Sequence, residues 1–281
     1  MSENRRAAVL GSPIAHSLSP VLHRAAYREL GLDGWVYDRF EVDEAALPGF
    51  LARLGEDGGP AWAGLSLTMP LKRAVIPLLD RVSETAASVE AVNTVVFTGD
   101  GHRVGDNTDI PGMAAALRER GVERVERAAV LGAGATASSA LAALALICDG
   151  EVTAYVRSQE RAAEMRQWGE RLGVAVRTAD WSGAATAFDA PLVIATTPAG
   201  TTDALAGSVP DRPGALFDVL YDPWPTPLAA AWSAHGGAVV GGLDLLVHQA
   251  VLQVELMTGR APAPLAAMRA AGEAALAARG R

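Results

Sequence analysis

Several things are scarce in this chain, and each scarcity speaks against a kind of protein. Cys148 is the only cysteine among 281 residues, so no disulfide closes within the chain and no cysteine cluster holds a metal. No metal site is expected. Positive charge is in deficit: 24 Lys and Arg stand against 32 Asp and Glu, giving a net charge of −8 and a pI near 5.2. With no basic run anywhere, the chain is not built as a nucleic-acid or anionic-membrane surface. The opening "MSENRRAAVL" has charges but no apolar signal core. The longest uncharged stretch, Ala128 to Cys148, has the length of a membrane span. Gly132, Gly134, Thr136, Ser138 and Ser139 divide it into strand, turn and helix instead, and a cytoplasmic setting is expected. Internal repeats and long low-complexity linkers are missing as well.

What is present is a globular composition. Half of the residues are hydrophobic and 20% are charged, enough for a sizeable core, and the length suits two domains. The chain alternates strand and helix patterns. "RAAVLGS", "WVYDRFEV" and "WAGLSLT" read as strands, and "SPVLHRAAYRELGL", "EAALPGFLARLG" and "LKRAVIPLLD" as the helices that follow them. After a short helix in "SETAASVEAV", "NTVVFTGDGHRVGDN" reads as a hairpin turning at Gly99-Asp100-Gly101. "DIPGMAAALRERG" is helical. A second series then runs through "RAAVLGA", "ATASSALAALALIC", "EVTAYVR", "SQERAAEMRQWGERL", "VAVRTAD", "PLVIATTP" and "ALFDVLYD". Three helical segments close the chain. Alternation of this kind predicts parallel sheets covered by helices on both faces. The expected fold is therefore α/β, in two α/β domains, with the C-terminal helices returning to the first.

The best-defined motif is "VLGAGATA", residues 130–137. Gly132 permits a tight turn, Gly134 lets the backbone approach a pyrophosphate, and the helix start beyond offers N–H groups to that anion. Ala137 is the small residue that lets helix and strand pack closely. An NAD site usually carries an acidic residue about 20 positions on, for the ribose hydroxyls. This chain has "AYVRSQER" there, with Arg157, Ser158 and Arg161 and no carboxylate at the strand end. Guanidinium forks suit a 2′-phosphate, which favours NADP; the plainer alternative is two arginines on a solvated helix start.

Other polar positions are ambiguous by themselves. Ser17 and Ser19 in "GSPIAHSLSP" place two hydroxyls within reach of one polar ligand, but on spacing alone a helix cap and a loop serine explain them better. Asn93, Asn107 and Asp109, each taken alone, are turn chemistry. Lys72, one turn past the strand in "GLSLTMPLKRAV", is either a solvated helix-start residue or a reagent held at the mouth of a sheet.

Taken together, "SPIAHSLSP", "SLTMPLK", "AVNTVV", "GDNTD", "VLGAGATA", "DVLYDPWPTPL" and "GGLDLLVHQA", in this order and at these separations, resemble shikimate dehydrogenase from end to end. The resemblance implies NADPH-dependent reduction of 3-dehydroshikimate to shikimate, with the small-molecule substrate as partner and the protein a monomer or homodimer. It implies that Ser17 and Ser19 hold the substrate carboxylate together with Tyr221. Thr68, Lys72, Asn93 and Asp109 would surround the ring hydroxyls, Lys72 and Asp109 as the catalytic pair, and Gln249 would touch the substrate. Gly132, Ala133, Gly134, Ala135, Thr136 and Ala137 would form the cofactor loop. Arg157, Ser158 and Arg161 would clamp the phosphate, and Val219 and Gly242 would lie on the cofactor side. A substrate domain of residues 1–108 plus 245–281, a Rossmann domain of 109–244 and an active site in the cleft between them are expected.

Where many members carry other residues, this chain has Ser66 for Asn, Ala135 for a third Gly, Val156 for Asn and Gly241 for Asp, with Asp244 unusual beside it. A relative acting on quinate or on an aminated analogue would barely differ in these positions. A non-catalytic NADP-binding sensor on the same fold would be expected to lose Lys72 or Asp109, and both are kept.

Overall fold

A computed structural model describes residues 4–54 and 58–279. The expected helix end at Gly55, the opening residues 1–3 and the final residues 280–281 lie outside the described residues. The chain divides into two compact units, one of Met1–Thr108 with Leu246–Arg281 and one of Asp109–Leu245.

The first unit is built on a six-stranded sheet with the order β2-β1-β3-β5-β6-β4. Its strands are β1 (Arg5–Gly11), β2 (Trp35–Glu41), β3 (Ala61–Leu67), β4 (Arg81–Val82), β5 (Thr94–Phe97) and β6 (Arg103–Asp106). β1 pairs in parallel with both β2 and β3. The predicted hairpin forms, and β5 runs antiparallel to both β3 and β6. This sheet is therefore mixed rather than purely parallel, because a tight turn can only join antiparallel strands. α1 (Ser19–Glu29), α2 (Leu47–Ala52), α3 (Leu71–Ala74) and α4 (Glu84–Val89) fill the connections. The single helix expected over "LKRAVIPLLD" is a correction. α3 stops at Ala74 and a 3-10 turn covers Ile76–Leu78, because Pro77 has no N–H to continue the ladder. On one side of the sheet, Leu10, Leu47, Leu65, Leu71, Val75 and Val95 form a buried core. α10 (Leu265–Arg279) packs along α1.

In the second unit, β7 (Ala128–Leu131), β8 (Val152–Val156), β9 (Val176–Asp180), β10 (Leu192–Ala195), β11 (Ala215–Asp218) and β12 (Ala238–Val240) form a second sheet. Its order is β12-β11-β10-β7-β8-β9 and all its pairs are parallel. The chain winds outward from β7 to β9, then restarts at β10 and winds the other way. The strand order thus reverses beside β7, the point where open α/β sheets take their ligands. α5 (Asp109–Glu119), α6 (Ala135–Leu144), α7 (Gln159–Leu172) and α8 (Pro227–Ala234) cover it. Trp232 is fully buried, donates Nε1–H to the Gly214 carbonyl at 2.9 Å and meets Phe188 edge-on at 5.1 Å. α9 (Gly242–Thr258) starts in this unit, and from Leu246 onward belongs to the first. The short strands β4 and β12 carry too few residues for a periodic pattern.

Candidate functional site

The turn after β7 has the geometry that the glycine motif predicts. Gly132 has φ of +115°, and a Cβ there would lie 2.6 Å from Thr196 Oγ1; backbone conformation and space both demand glycine. Gly134 is the N-cap residue of α6. Ala135 and Thr136 form the first turn, and Ala137 packs fully buried beneath it. Gly132, Ala133 and Gly134 border a pocket of about 210 Å³ that is also lined by Tyr155, Val156, Arg157, Arg161, Trp181 and Thr197. The pocket combines a glycine cradle at a helix start with two guanidinium groups. That donor set fits the diphosphate and the phosphorylated ribose of NADP. Ser158 acts locally, since its hydroxyl accepts the Arg161 N–H at 3.2 Å and caps α7.

Beyond β11, a polar turn is fixed from below. Asp218 accepts the Thr226 hydroxyl at 2.7 Å and the Leu220 N–H at 3.2 Å. Burial pushes its carboxyl pKa up, against the lowering effect of the Thr226 hydrogen bond. Val219 and the half-buried Tyr221 sit on this turn. The Gly242 N–H donates to the Leu220 carbonyl at 2.9 Å, and a Cβ on Gly242 would lie 2.6 Å from that carbonyl oxygen. Asp244, unexplained by the sequence, accepts the Gly241 N–H at 3.2 Å and pairs with Arg120 at 3.3 Å. Asp109, also buried, opens α5.

In the first unit, buried polar side chains form a serine pair and, next to it, a connected network. Ser17 Oγ lies 3.3 Å from Ser19 Oγ and accepts the Ser19 N–H at 3.3 Å. Their loop is held from outside: Arg39 donates to the carbonyls of Ala15 and Ser17, and Arg279 to that of His16. Ser19 lies beside the Tyr37 hydroxyl, which donates to Ser66 Oγ at 2.6 Å. Ser66 in turn donates to Gln253 Oε1 at 2.7 Å. Gln253 Nε2 donates to Thr94 Oγ1 at 2.9 Å, and Thr94 to Asn93 Oδ1 at 2.8 Å. Asn93 accepts the Thr108 N–H at 2.8 Å and donates to Thr108 Oγ1 at 3.0 Å and to Gln249 Oε1 at 3.4 Å. Every amide orientation along this path is thereby set.

Thr68 and Lys72 reach the same strand ends through the backbone. The Leu71 N–H donates to the Thr68 carbonyl at 2.8 Å, and the Val92 N–H donates to the Lys72 carbonyl at 2.8 Å. The residue after Val92 is Asn93, so α3 and the Asn93 loop are locked together.

The structure thus joins Ser17 to Ser19 and Asn93 to Gln249 by hydrogen bonds, with Thr68 and Lys72 fixed beside the Asn93 loop. It brings the glycine loop, Arg157 and Arg161 to one pocket. Sequence reasoning missed Tyr37, His23, Gln253 and Trp181. Gln253 alone had a visible signal, standing four residues after Gln249 on the same face of α9.

Comparisons with known proteins point to one family. A family profile described as the shikimate dehydrogenase substrate binding domain matches residues 9–95, and one described as the shikimate 5′-dehydrogenase C-terminal domain matches residues 242–271. A relative from Oleidesulfovibrio alaskensis named shikimate dehydrogenase (NADP(+)) is 38% identical over 262 residues, covering 90% of this chain and 89% of its own. The crystal structure of Mycobacterium tuberculosis shikimate dehydrogenase is 43% identical with a TM-score of 0.86, covering 96% of this chain and 99% of its own. The Thermus thermophilus shikimate 5-dehydrogenase, solved with NADP(H) and shikimate, is 34% identical with a TM-score of 0.82 and covers 96% and 99%. With such relatives aligned along nine-tenths or more of its length, the chain belongs to the shikimate dehydrogenase family.

Proposed function

We propose that this protein interconverts 3-dehydroshikimate and shikimate with NADP as cofactor, and that the residues described above divide the work as follows. Ser17, Ser19 and Tyr221 hold the ring carboxylate through their hydroxyls. Thr68, Asn93 and Gln249 bind the ring hydroxyls. NADPH, when bound, supplies the hydride to the ring carbonyl carbon. Lys72 gives a proton to the carbonyl oxygen and its positive charge offsets the charge growing there. Asp109 accepts a hydrogen bond from the hydroxyl so formed. The Gly132–Ala137 loop binds the diphosphate, Arg157 and Arg161 bind the 2′-phosphate beside the Ser158 cap, and Val219 and Gly242 border the cofactor. Residues 1–108 with 245–281 serve as the substrate domain and 109–244 as the cofactor domain.

The observation that carries this reading is the unbroken hydrogen-bond path from Tyr37, beside Ser19, through Ser66, Gln253 and Thr94 to Asn93. That path sets the amide suited to vicinal hydroxyls, and the Ser17–Ser19 pair at its Tyr37 end offers hydroxyls suited to a carboxylate, a combination that matches a small polyhydroxy acid. Among the described residues, no helix is long and apolar enough to cross a membrane. A cytoplasmic enzyme acting on a small molecule, as monomer or homodimer and away from nucleic acid and membrane, completes the proposal.

The direct test is oxidation of shikimate followed by reduced-nicotinamide absorbance. Turnover with NADP well above that with NAD is expected, and turnover of quinate in preference to shikimate would refute the substrate. Ser17→Ala should weaken shikimate binding by about 0.5–1.5 kcal/mol with little change in kcat. The methyl ester of shikimate should be a poor substrate for the wild type; equal use of acid and ester would remove the serines from carboxylate binding.

A further inference from the structure

The two arginines of the cofactor pocket are not equivalent. The β8–β9 register pairs Val156 with Asp180, so Arg157 and Trp181 leave the carboxyl edge of adjacent parallel strands side by side. The Arg157 guanidinium carbon lies 5.2 Å from the centre of the Trp181 ring, and both residues line the pocket. Arg161 lines it too, but its Nη1 is bonded to Glu164 Oε2 at 2.7 Å, so a carboxylate already offsets its charge.

A guanidinium is weakly hydrated on its flat faces and carries its donors around its edge. An indole against one face takes nothing from those donors. It does restrict a long, otherwise exposed side chain and so lowers the ordering cost of binding. The indole is the contact that orients the arginine.

We propose that Trp181 is the positioning residue for NADP selectivity: it holds the Arg157 guanidinium edge-on to the pocket, making Arg157 the dominant partner of the 2′-phosphate and leaving Arg161 a secondary role. The proposal rests on the NADP reading of this pocket.

The test measures binding of NADP and NAD, and of 2′,5′-ADP and 5′-AMP as fragments with and without the 2′-phosphate, by calorimetry. Arg157→Ala should weaken NADP and 2′,5′-ADP at least about tenfold, and Arg161→Ala distinctly less. Trp181→Leu should weaken the same two ligands about three- to fivefold and leave NAD and 5′-AMP unchanged, with Trp181→Phe recovering most of the loss. In an Arg157→Ala background, Trp181→Leu should cost NADP nothing further. Equal losses for NADP and NAD on Trp181→Leu, or an undiminished loss in the Arg157→Ala background, overturn the proposal by making Trp181 an adenine contact or a wall of the pocket. If Trp181→Leu does not fold, Arg157→Lys takes its place: it keeps the charge and loses the flat stack, and full NADP affinity there overturns the proposal equally. Arg157→Ala lowering NADP and NAD alike would instead remove the phosphate assignment itself, so the two failures are distinguishable.

Discussion

Replacing Lys72 by alanine is expected to lower turnover about 10²–10⁴-fold, the usual worth of a positioned acid or base, and to raise the substrate KM far less. The argument is one of charge. Reduction of a ketone leaves negative charge on oxygen, and an ammonium there both offsets it and delivers the proton. Lys72 is the second residue of a four-residue helix and half-buried. One structural hold is its carbonyl, which accepts the Val92 N–H, and that survives any side-chain change. Lys72→Met keeps most of the stem and should be nearly as inactive as Lys72→Ala. NADP affinity should stay at the wild-type level, because the described pocket draws its lining wholly from the second unit. Asp109→Asn should also depress turnover, and the double variant should be little worse than the worse single one, since residues acting as a unit are not additive. An alanine variant that folds, binds both ligands and keeps more than about a tenth of wild-type turnover would take lysine out of the chemistry.

The second large effect expected is on stability in mild acid. His23 is completely buried, stacked on Tyr37 at 3.9 Å with 21° between the rings, and its Nε2 lies 3.3 Å from Gln253 Oε1. Because that oxygen only accepts, the proton sits on Nε2. Nδ1 has no hydrogen-bond partner among the described residues. Burial drives the pKa down from 6.5 to about 3, against the raising effect of the Gln253 contact. Above pH 6.5 the ring is neutral whether folded or unfolded, and this contribution to stability is complete. Between 6.5 and 3 the unfolded chain binds a proton that the folded one refuses, so stability falls with a slope approaching about 1.4 kcal/mol per pH unit. Below 3 the loss is complete. From pH 7.5 to 5 the His23 share is about 2 kcal/mol. His23→Asn keeps a donor and does not titrate. It should be less stable than wild type at pH 7.5, yet its urea-derived stability should change between those two pH values by about 2 kcal/mol less than wild type's. An identical change in both proteins would show that His23 is not the titrating group.

The second sheet was legible almost strand by strand. Buried parallel strands read as short apolar runs closed by turn residues, and "AAVLGAG" or "LVIATTP" have no other economical reading. The run after Pro70 misled because its apolar spacing is helical, while one missing N–H at Pro77 ends the helix. The glycine loop was legible because its conformational demand is local. Trp181 was not: nothing near it marks it, and its meaning comes from the β8–β9 register, which pairs residues far apart in sequence. Tyr37 and His23 were hidden for the same reason, since they meet Ser66 and Gln253 only after β2, β3 and α9 have assembled. Asp244 was legible as an oddity only. Its partners, Arg120 and the Gly241 N–H, supply the reason.

The discontinuity of the first unit has a consequence for vectorial synthesis. Ser66 and Thr94 find hydrogen-bond partners in Gln253, Met257 fills the space over Gly64, α10 lies against α1, and Arg279 holds the His16 carbonyl. All of these partners lie beyond residue 245, whereas the second unit is one unbroken segment. On the ribosome the middle of the chain can therefore mature first, while the oldest residues wait with an open sheet face and unsatisfied polar groups. The amino-terminal segment should be the last to gain amide-exchange protection, and the best client for a holding chaperone in the interval.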